Sequence, residues 1–111
     1  EKQAMGYFLD GKATLVVGTH THTPTLDFRI LEHGTAYQTD AGMCGDYNSI
    51  IGMDSDKALK RFFTEERTER LTPANGEGTI TGVRVVGDVN TGLAKEIEPI
   101  IIGGRLTKKF K

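Results

Sequence analysis

A single cysteine, Cys44, occurs among 111 residues. No internal disulfide framework can hold this chain, and its thiol content fits a reducing, cytoplasmic compartment. An excess of charge of one sign is also lacking. Fourteen basic residues stand against fifteen acidic ones for a formal charge of -1, which leaves no electrostatic footprint for stable DNA binding. The one basic cluster, Lys108, Lys109 and Lys111, reads as a solvated tail. Long apolar runs are missing as well. The longest, such as Ile100 to Ile102, fall far short of a membrane span or a signal-peptide core. There is no internal repeat, no low-complexity tract and no linker long enough to split the chain. Nor does an initiator Met precede Glu1, so the sequence reads as a piece of something longer. What is present, 37% hydrophobic and 26% charged residues, suits one soluble globular domain.

Two histidines one residue apart stand out. In Thr14-Leu15-Val16-Val17-Gly18-Thr19-His20-Thr21-His22-Thr23-Pro24 an apolar strand runs into a pair of imidazoles. If the segment stays extended, residues i and i+2 project to the same side, so His20 and His22 can reach one point while Thr19 and Thr21 face away. On spacing alone an ordinary polar loop after a strand is the commoner outcome.

The order of elements predicts an α/β (α+β) fold. Glu1 to Leu9 reads as a short helix with Ala4, Met5 and Phe8 as its apolar stripe, closed by Asp10-Gly11. Ala13 to Val17 is a compact apolar run without alternation, the pattern of a strand covered on both faces in a parallel or mixed central sheet. Phe28 to Leu31 and Thr35 to Thr39 flank Glu32-His33-Gly34 as a hairpin, with Gly34 at the position needing positive φ. After a glycine-rich loop, Asp54 or Ser55 caps a helix that ends near Thr64. Its buried face is predicted to be Ala58, Leu59, Phe62 and Phe63, its wet face Lys57, Lys60 and Arg61. The remainder reads as antiparallel strands over Arg70 to Thr72, Gly78 to Val86 and Ala94 to Ile102. These are broken at Asn75-Gly76 and Asp88-Val89-Asn90-Thr91-Gly92, and the long strands suit an inner layer of a two-sheet sandwich.

The stretch Leu15-Val16-Val17-Gly18-Thr19-His20-Thr21-His22-Thr23-Pro24-Thr25, with Arg29-Ile30-Leu31, Gly34-Thr35-Ala36-Tyr37, Thr39-Asp40, Gly42-Met43, Gly45, Tyr47 and Ile51-Gly52-Met53-Asp54, resembles the C-terminal half of the YmdB-like bacterial calcineurin-like metallophosphoesterases. The resemblance spans almost the whole chain and is densest from Met5 to Phe63. It implies the C-terminal part of a four-layer αββα sandwich, with a two-metal site at the strand ends. It also implies hydrolysis of phosphodiesters, with 2',3'-cyclic nucleotides as a substrate class. His20 and His22 match the family's final metal-binding pair, one imidazole for each of two divalent ions (Mn, Fe, Zn or Mg). The family's remaining ligands, an Asp, a Glu-Asn pair, an Asn-His pair and a further His, match no residue here. The resemblance therefore implies a chain lacking its N-terminal half, inactive alone, with no catalytic residue of its own identifiable.

Other residues admit both functional and plain readings. Asp40 could orient a ligand histidine, or be a turn residue after a strand. His33 reads as a solvated turn histidine, Cys44 as a packed thiol without an activating partner, and Gly42 to Tyr47 as close backbone packing rather than a phosphate loop, lacking the P-loop Lys. A non-catalytic alternative also stands. Without its other half, the Ala13 to Val17 strand would present an unpaired edge, and the chain would act as a self-associating assembly module or as a single-site metal binder.

Overall fold

The computed structural model describes residues 1–64 and 70–108. Lys109 and Lys111 of the basic cluster lie outside the described residues. The N-terminal helix forms as α1 (Lys2–Leu9), capped by Asp10 and followed by Gly11 at φ 87°, a left-handed conformation that glycine adopts freely. Its apolar stripe is not its docking face: Ala4 is exposed, and Met5 and Phe8 are 51% and 68% exposed. The helix seats instead through Gly6, its buried residue. There the Tyr37 ring comes so close that a Cβ would lie 2.6 Å from its Cδ1.

β1 (Leu15–Val17), β2 (Arg29–Ile30) and β3 (Ala36–Gln38) form one sheet in the order β1-β3-β2. The first pair is parallel and the second antiparallel, so the sheet is mixed, as expected. β1 is shorter than the apolar run and half-exposed rather than covered on both faces. Among the described residues only β3 pairs with it. The β2–β3 hairpin closes as anticipated through Glu32-His33-Gly34, with Gly34 at φ 100° and the Leu31 N–H donating to the Thr35 carbonyl at 2.8 Å.

β3 is the centre of the molecule, all three of its residues being buried. Around it the buried side chains are as much polar as apolar: Leu31, Ala36 and Tyr37 beside Thr35, Gln38 and Asp40, with Thr79 and Thr81 behind. Burying a polar group is unfavourable unless it is hydrogen-bonded, so this core is ordered by directed bonds more than by apolar contact. Thr35 shows how. Its hydroxyl accepts the Gly11 N–H at 2.8 Å and donates to the Ala13 carbonyl at 2.7 Å, fastening the end of α1 to the sheet.

β4 (Ile80–Gly87) and β5 (Ala94–Ile102) make a long antiparallel pair, in register from Ile80↔Ile102 to Val86↔Glu96. Asp88 orders their turn by accepting the N–H groups of Asn90 and Thr91 at 2.7 and 3.2 Å. β5 lies beside β2 and β3, and the Ala94 N–H donates to the Gly34 carbonyl at 2.8 Å. A mixed sheet followed by an antiparallel pair is the expected arrangement. Arg70 to Thr72 do not form a strand, however. Pairing there is confined to an isolated bridge between Met53 and Pro73, and Pro73 has no N–H with which to extend a ladder.

α2 (Ser55–Phe63) begins and ends where the sequence places it, with the Asp54 carboxylate accepting the Asp56 N–H at 3.0 Å and Thr64 at its C-cap. Its burial departs from expectation. Ala58 is buried, but Leu59 is exposed and Phe62 and Phe63 are 81% and 83% exposed. Amphipathic spacing identifies residues that favour cover, and no described residue supplies it here. Between α2 and the turn before it lies an apolar cavity of about 250 Å³ lined by Ile50, Ile51, Met53, Ala58, Phe62 and Leu71. No helix among the described residues is long and apolar enough to cross a membrane.

Candidate functional site

His20 and His22 follow β1, but the strand ends at Val17 and the histidines occupy a bent loop. Both take left-handed backbone, His20 at φ 129° and His22 at φ 67°. The premise that an extended segment aligns residues i and i+2 therefore fails. The reason lies in the residue between them. Thr21 gives its N–H not to a neighbouring strand's carbonyl but to the carboxylate of Asp40, at 2.7 Å. Its hydroxyl donates to the same Oδ2, also at 2.7 Å. Such side-chain capture of a backbone donor competes directly with sheet pairing. Non-glycine residues with positive φ are uncommon, and each such conformation persists only where its surroundings over-determine it.

Two further features fix the loop. Gly18 passes so near β3 that a Cβ there would lie 2.1 Å from the Thr39 carbonyl oxygen and 2.8 Å from Lys2 Cδ. Its own N–H donates to the Gln38 carbonyl at 3.0 Å, and its carbonyl accepts the Ala41 N–H at 2.9 Å. The Lys2 ammonium, at the start of α1, donates to the Thr19 carbonyl at 2.5 Å and stands 3.6 Å from Asp40 Oδ2.

The ring of His22 is oriented from the other side, its Nδ1 lying 2.8 Å from the Ile51 carbonyl oxygen. A carbonyl can only accept, so Nδ1 carries a proton, and the neutral form of the ring has its lone pair on Nε2. That is the tautomer in which a divalent cation binds an imidazole through Nε2, with the other nitrogen held by a fixed acceptor. Ile51 itself has φ 50°, a further non-glycine residue in left-handed backbone beside the loop, and a β-branched one. The His22 ring is thus held in a tautomer that leaves Nε2 open. Among the described residues no group of three or more His, Cys, Asp or Glu side chains is placed to hold a metal ion.

Asp40 is fully buried, and its bonds go to Thr21 and Gly42 rather than to an imidazole. Burial by itself would raise its pKa. The Gly42 N–H, the N–H and hydroxyl of Thr21 and the Lys2 charge outweigh burial and hold it below the ordinary carboxylate value. Asp27 behaves alike. Burial raises its pKa, but hydrogen bonds from the Thr25 hydroxyl and from the hydroxyl and N–H of Thr39 lower it further than burial raises it. A carboxylate whose folded-state pKa is depressed contributes stability that is present above its unfolded pKa of about 3.9 and is lost as pH falls through the folded value. The thermal midpoint should therefore hold from pH 7 to about 4.5 and fall below pH 4. Asp27→Asn should flatten that acid limb in denaturation scans from pH 3 to 7, and an unchanged limb would contradict the assignment to Asp27.

The remaining sequence-level candidates resolve simply. His33 is an exposed turn residue, as expected, its Nδ1 lying 3.0 Å from Asp10 Oδ2. Cys44 is exposed rather than packed, since the thiol reaches only the Thr81 carbonyl at 3.8 Å. The Gly42 to Tyr47 loop is close packing: the Tyr47 hydroxyl accepts the Met43 N–H at 2.9 Å, and a Cβ on Gly42 would meet Thr81 Oγ1 at 2.3 Å. What sequence reasoning missed is the carbonyl of Ile51, a backbone atom no motif displays. Its only trace is an isoleucine directly before Gly52.

A mixed sheet, an antiparallel pair beside it and a His-x-His loop after a parallel strand make a mixed α/β fold of the metallophosphoesterase type. The family model described as YmdB-like protein matches residues 1–100, and the chain belongs to that family. It is 50% identical over 102 residues to the 2',3'-cyclic-nucleotide 2'-phosphodiesterase of Bacillus subtilis (strain 168), covering 92% of this chain and 38% of that protein. Among solved structures it resembles a hypothetical protein from Thermus thermophilus, with a TM-score of 0.85 at 41% identity over 95% of this chain and 40% of the other. It also resembles a novel phosphatase of Mycoplasma pneumoniae, with a TM-score of 0.82 at 37% identity over 92% of this chain and 36% of that one. The chain thus spans well under half the length of these relatives.

Proposed function

We propose that this chain supplies His20 and His22 to a two-metal phosphodiesterase centre whose other ligands lie outside these 111 residues, and that 2',3'-cyclic nucleotides are its substrate class. The observation that carries the reading is the Nδ1–H bond of His22 to the Ile51 carbonyl, which readies Nε2 as a ligand. The substrate class is supported by the name of the Bacillus relative. Two divalent ions, when bound, supply an acidified water and charge stabilisation for in-line displacement at phosphorus. This chain's own part is to hold two imidazoles in fixed positions beside them. Imidazole suits Mn, Fe and Zn and does not choose among them. A cytoplasmic enzyme fits the single exposed thiol, Cys44.

Two neutral imidazoles without carboxylates hold a cation weakly, so the isolated chain should be inert. Assayed on 2',3'-cyclic AMP, the purified 111-residue chain should show no metal-dependent turnover, whereas the full-length protein should turn over and stop when stripped with EDTA. Comparable rates from the isolated chain would sink the shared-site reading. A full-length protein active after metal removal would sink the metal reading. A second reading, self-association, draws on the edge of β1 left unpaired among the described residues. It is favoured if the chain is a discrete dimer with no bound metal.

A further inference from the structure

Asp40 stands out as a buried carboxylate with no role in the function proposed above. It is fully buried, and every bond it makes is directed. Oδ2 accepts both donors of Thr21 at 2.7 Å, and Oδ1 accepts the Gly42 N–H at 2.9 Å. Its backbone is tied to Thr25 in both senses, the Asp40 N–H donating to Thr25 Oγ1 and the Asp40 carbonyl accepting the Thr25 N–H, each at 3.0 Å. Lys2, 3.6 Å away, completes the surround. Asp40 is thus immobile, and what it grips is the residue between two histidines at φ 129° and 67°.

Resting on the metal-site reading, we propose that Asp40 is a positioning residue: through Thr21 it holds the His20-Thr21-His22 arch in its left-handed form before metal arrives. Left to itself, a Thr-His-Thr-His segment relaxes towards extended backbone, where neither imidazole keeps its present direction. Two strained residues flanking Thr21 need an anchor between them, and the doubly engaged Thr21 bonds the middle of the arch to Asp40, just after β3. Metal binding would otherwise have to impose that geometry itself, at the expense of affinity. The arrangement differs from a carboxylate bonded directly to a ligand imidazole. Here the carboxylate fixes the backbone that carries both ligands.

Mn²⁺ affinity of the full-length protein tests this, measured by electron paramagnetic resonance alongside the folding midpoint in EDTA. Asp40→Asn converts one acceptor oxygen into a donor, and Thr21→Val keeps the N–H bond to Asp40 but removes the hydroxyl's bonds, to Asp40 and to Thr23. Each should weaken Mn²⁺ binding about tenfold or more, the scale seen when outer partners of metal ligands are lost. Thr21→Ser, which keeps the hydroxyl, should restore affinity to within about twofold of wild type, a small residue of that same tenfold scale. Asp88→Asn is the control for mere destabilisation. Its carboxylate serves Asn90, Thr91 and Lys95 in the β4–β5 turn and none of Thr21, Thr25 or Asp40, so it should lower the midpoint and leave Mn²⁺ affinity unchanged.

Should Asp40→Asn fail to fold, the Thr21 pair decides. Wild-type affinity in Thr21→Val, or equal losses in Thr21→Val and Thr21→Ser, would overturn the inference, as would a loss of affinity in Asp88→Asn matching its loss of stability. His22→Ala separates this from the reading beneath it. If His22→Ala binds Mn²⁺ as tightly as wild type, the metal site itself is wrong; if it loses Mn²⁺ while Thr21→Val does not, only the positioning role falls.

Discussion

Gly18→Ala should destabilise the protein by about 3 kcal/mol and loosen the histidine loop with it. The added methyl would lie 2.1 Å from the Thr39 carbonyl oxygen and 2.8 Å from Lys2 Cδ. The lysine end can swing away, but the carbonyl cannot. Thr39 lies between Gln38 and Asp40, both fully buried, and its N–H and hydroxyl are both committed to Asp27. Relief must therefore come from the β1 side, by withdrawing Gly18 from β3. That movement breaks the Gly18 N–H bond to Gln38 and the Ala41 N–H bond to Gly18, at 3.0 and 2.9 Å. It also drags Thr19, whose carbonyl accepts from Lys2. The histidines come next along the chain, so metal affinity falls together with stability. Gly82→Ala, on β4, is the contrasting case, because a Cβ there meets nothing within 4 Å. It should be neutral or stabilise by up to about 1 kcal/mol through the unfolded chain. Urea denaturation of both variants checks the pair, and the idea fails if the two behave alike.

How far the sequence reveals this molecule depends on what kind of bond decides each feature. Where the deciding partner is local, the sequence is readable. Asp54 caps α2, Gly34 turns the hairpin and Ala94–Ile102 forms β5 over its expected range. Where the deciding partner is remote, the pattern misleads. Met5, Phe8, Phe62 and Phe63 sit at helical spacing, but spacing says nothing about whether another surface arrives to cover them. Arg70 to Thr72 has strand-like content yet only a single bridge beside it. The histidine pair is the most instructive case. Thr-His-Thr-His reads as alternation, and alternation reads as a strand. A carboxylate 19 residues on from Thr21 takes the N–H that a strand would have used. The pair itself stands out in the sequence; the backbone that aims it does not, because Asp40 and the Ile51 carbonyl act through the fold.

His20→Gly should abolish activity and yet make the metal-free protein more stable, which is the sharpest test of strain held for function. The imidazole at φ 129° occupies backbone that glycine adopts freely, and a non-glycine residue there costs about 1–3 kcal/mol. Against that relief stands the greater freedom of glycine in the unfolded chain, about 0.4–1 kcal/mol. Among the described residues the His20 ring makes no hydrogen bond, so nothing else is forfeited. The net expectation is a gain of about 1 kcal/mol in EDTA. His20→Ala keeps the strain while losing the ring, and should be the less stable of the two. His22→Gly should come out near neutral, because relief at φ 67° is offset by loss of the bond to Ile51, worth about 0.5–1.5 kcal/mol. In the full-length protein all three substitutions should lower kcat/KM on a 2',3'-cyclic nucleotide by about a thousandfold, since loss of a metal removes several kcal/mol of transition-state stabilisation. Equal activity losses paired with His20→Gly more stable than both wild type and His20→Ala would tie the backbone strain to the imidazoles. If His20→Gly proved no more stable than His20→Ala, the φ 129° conformation would carry no strain, and the loop's shape would need another cause.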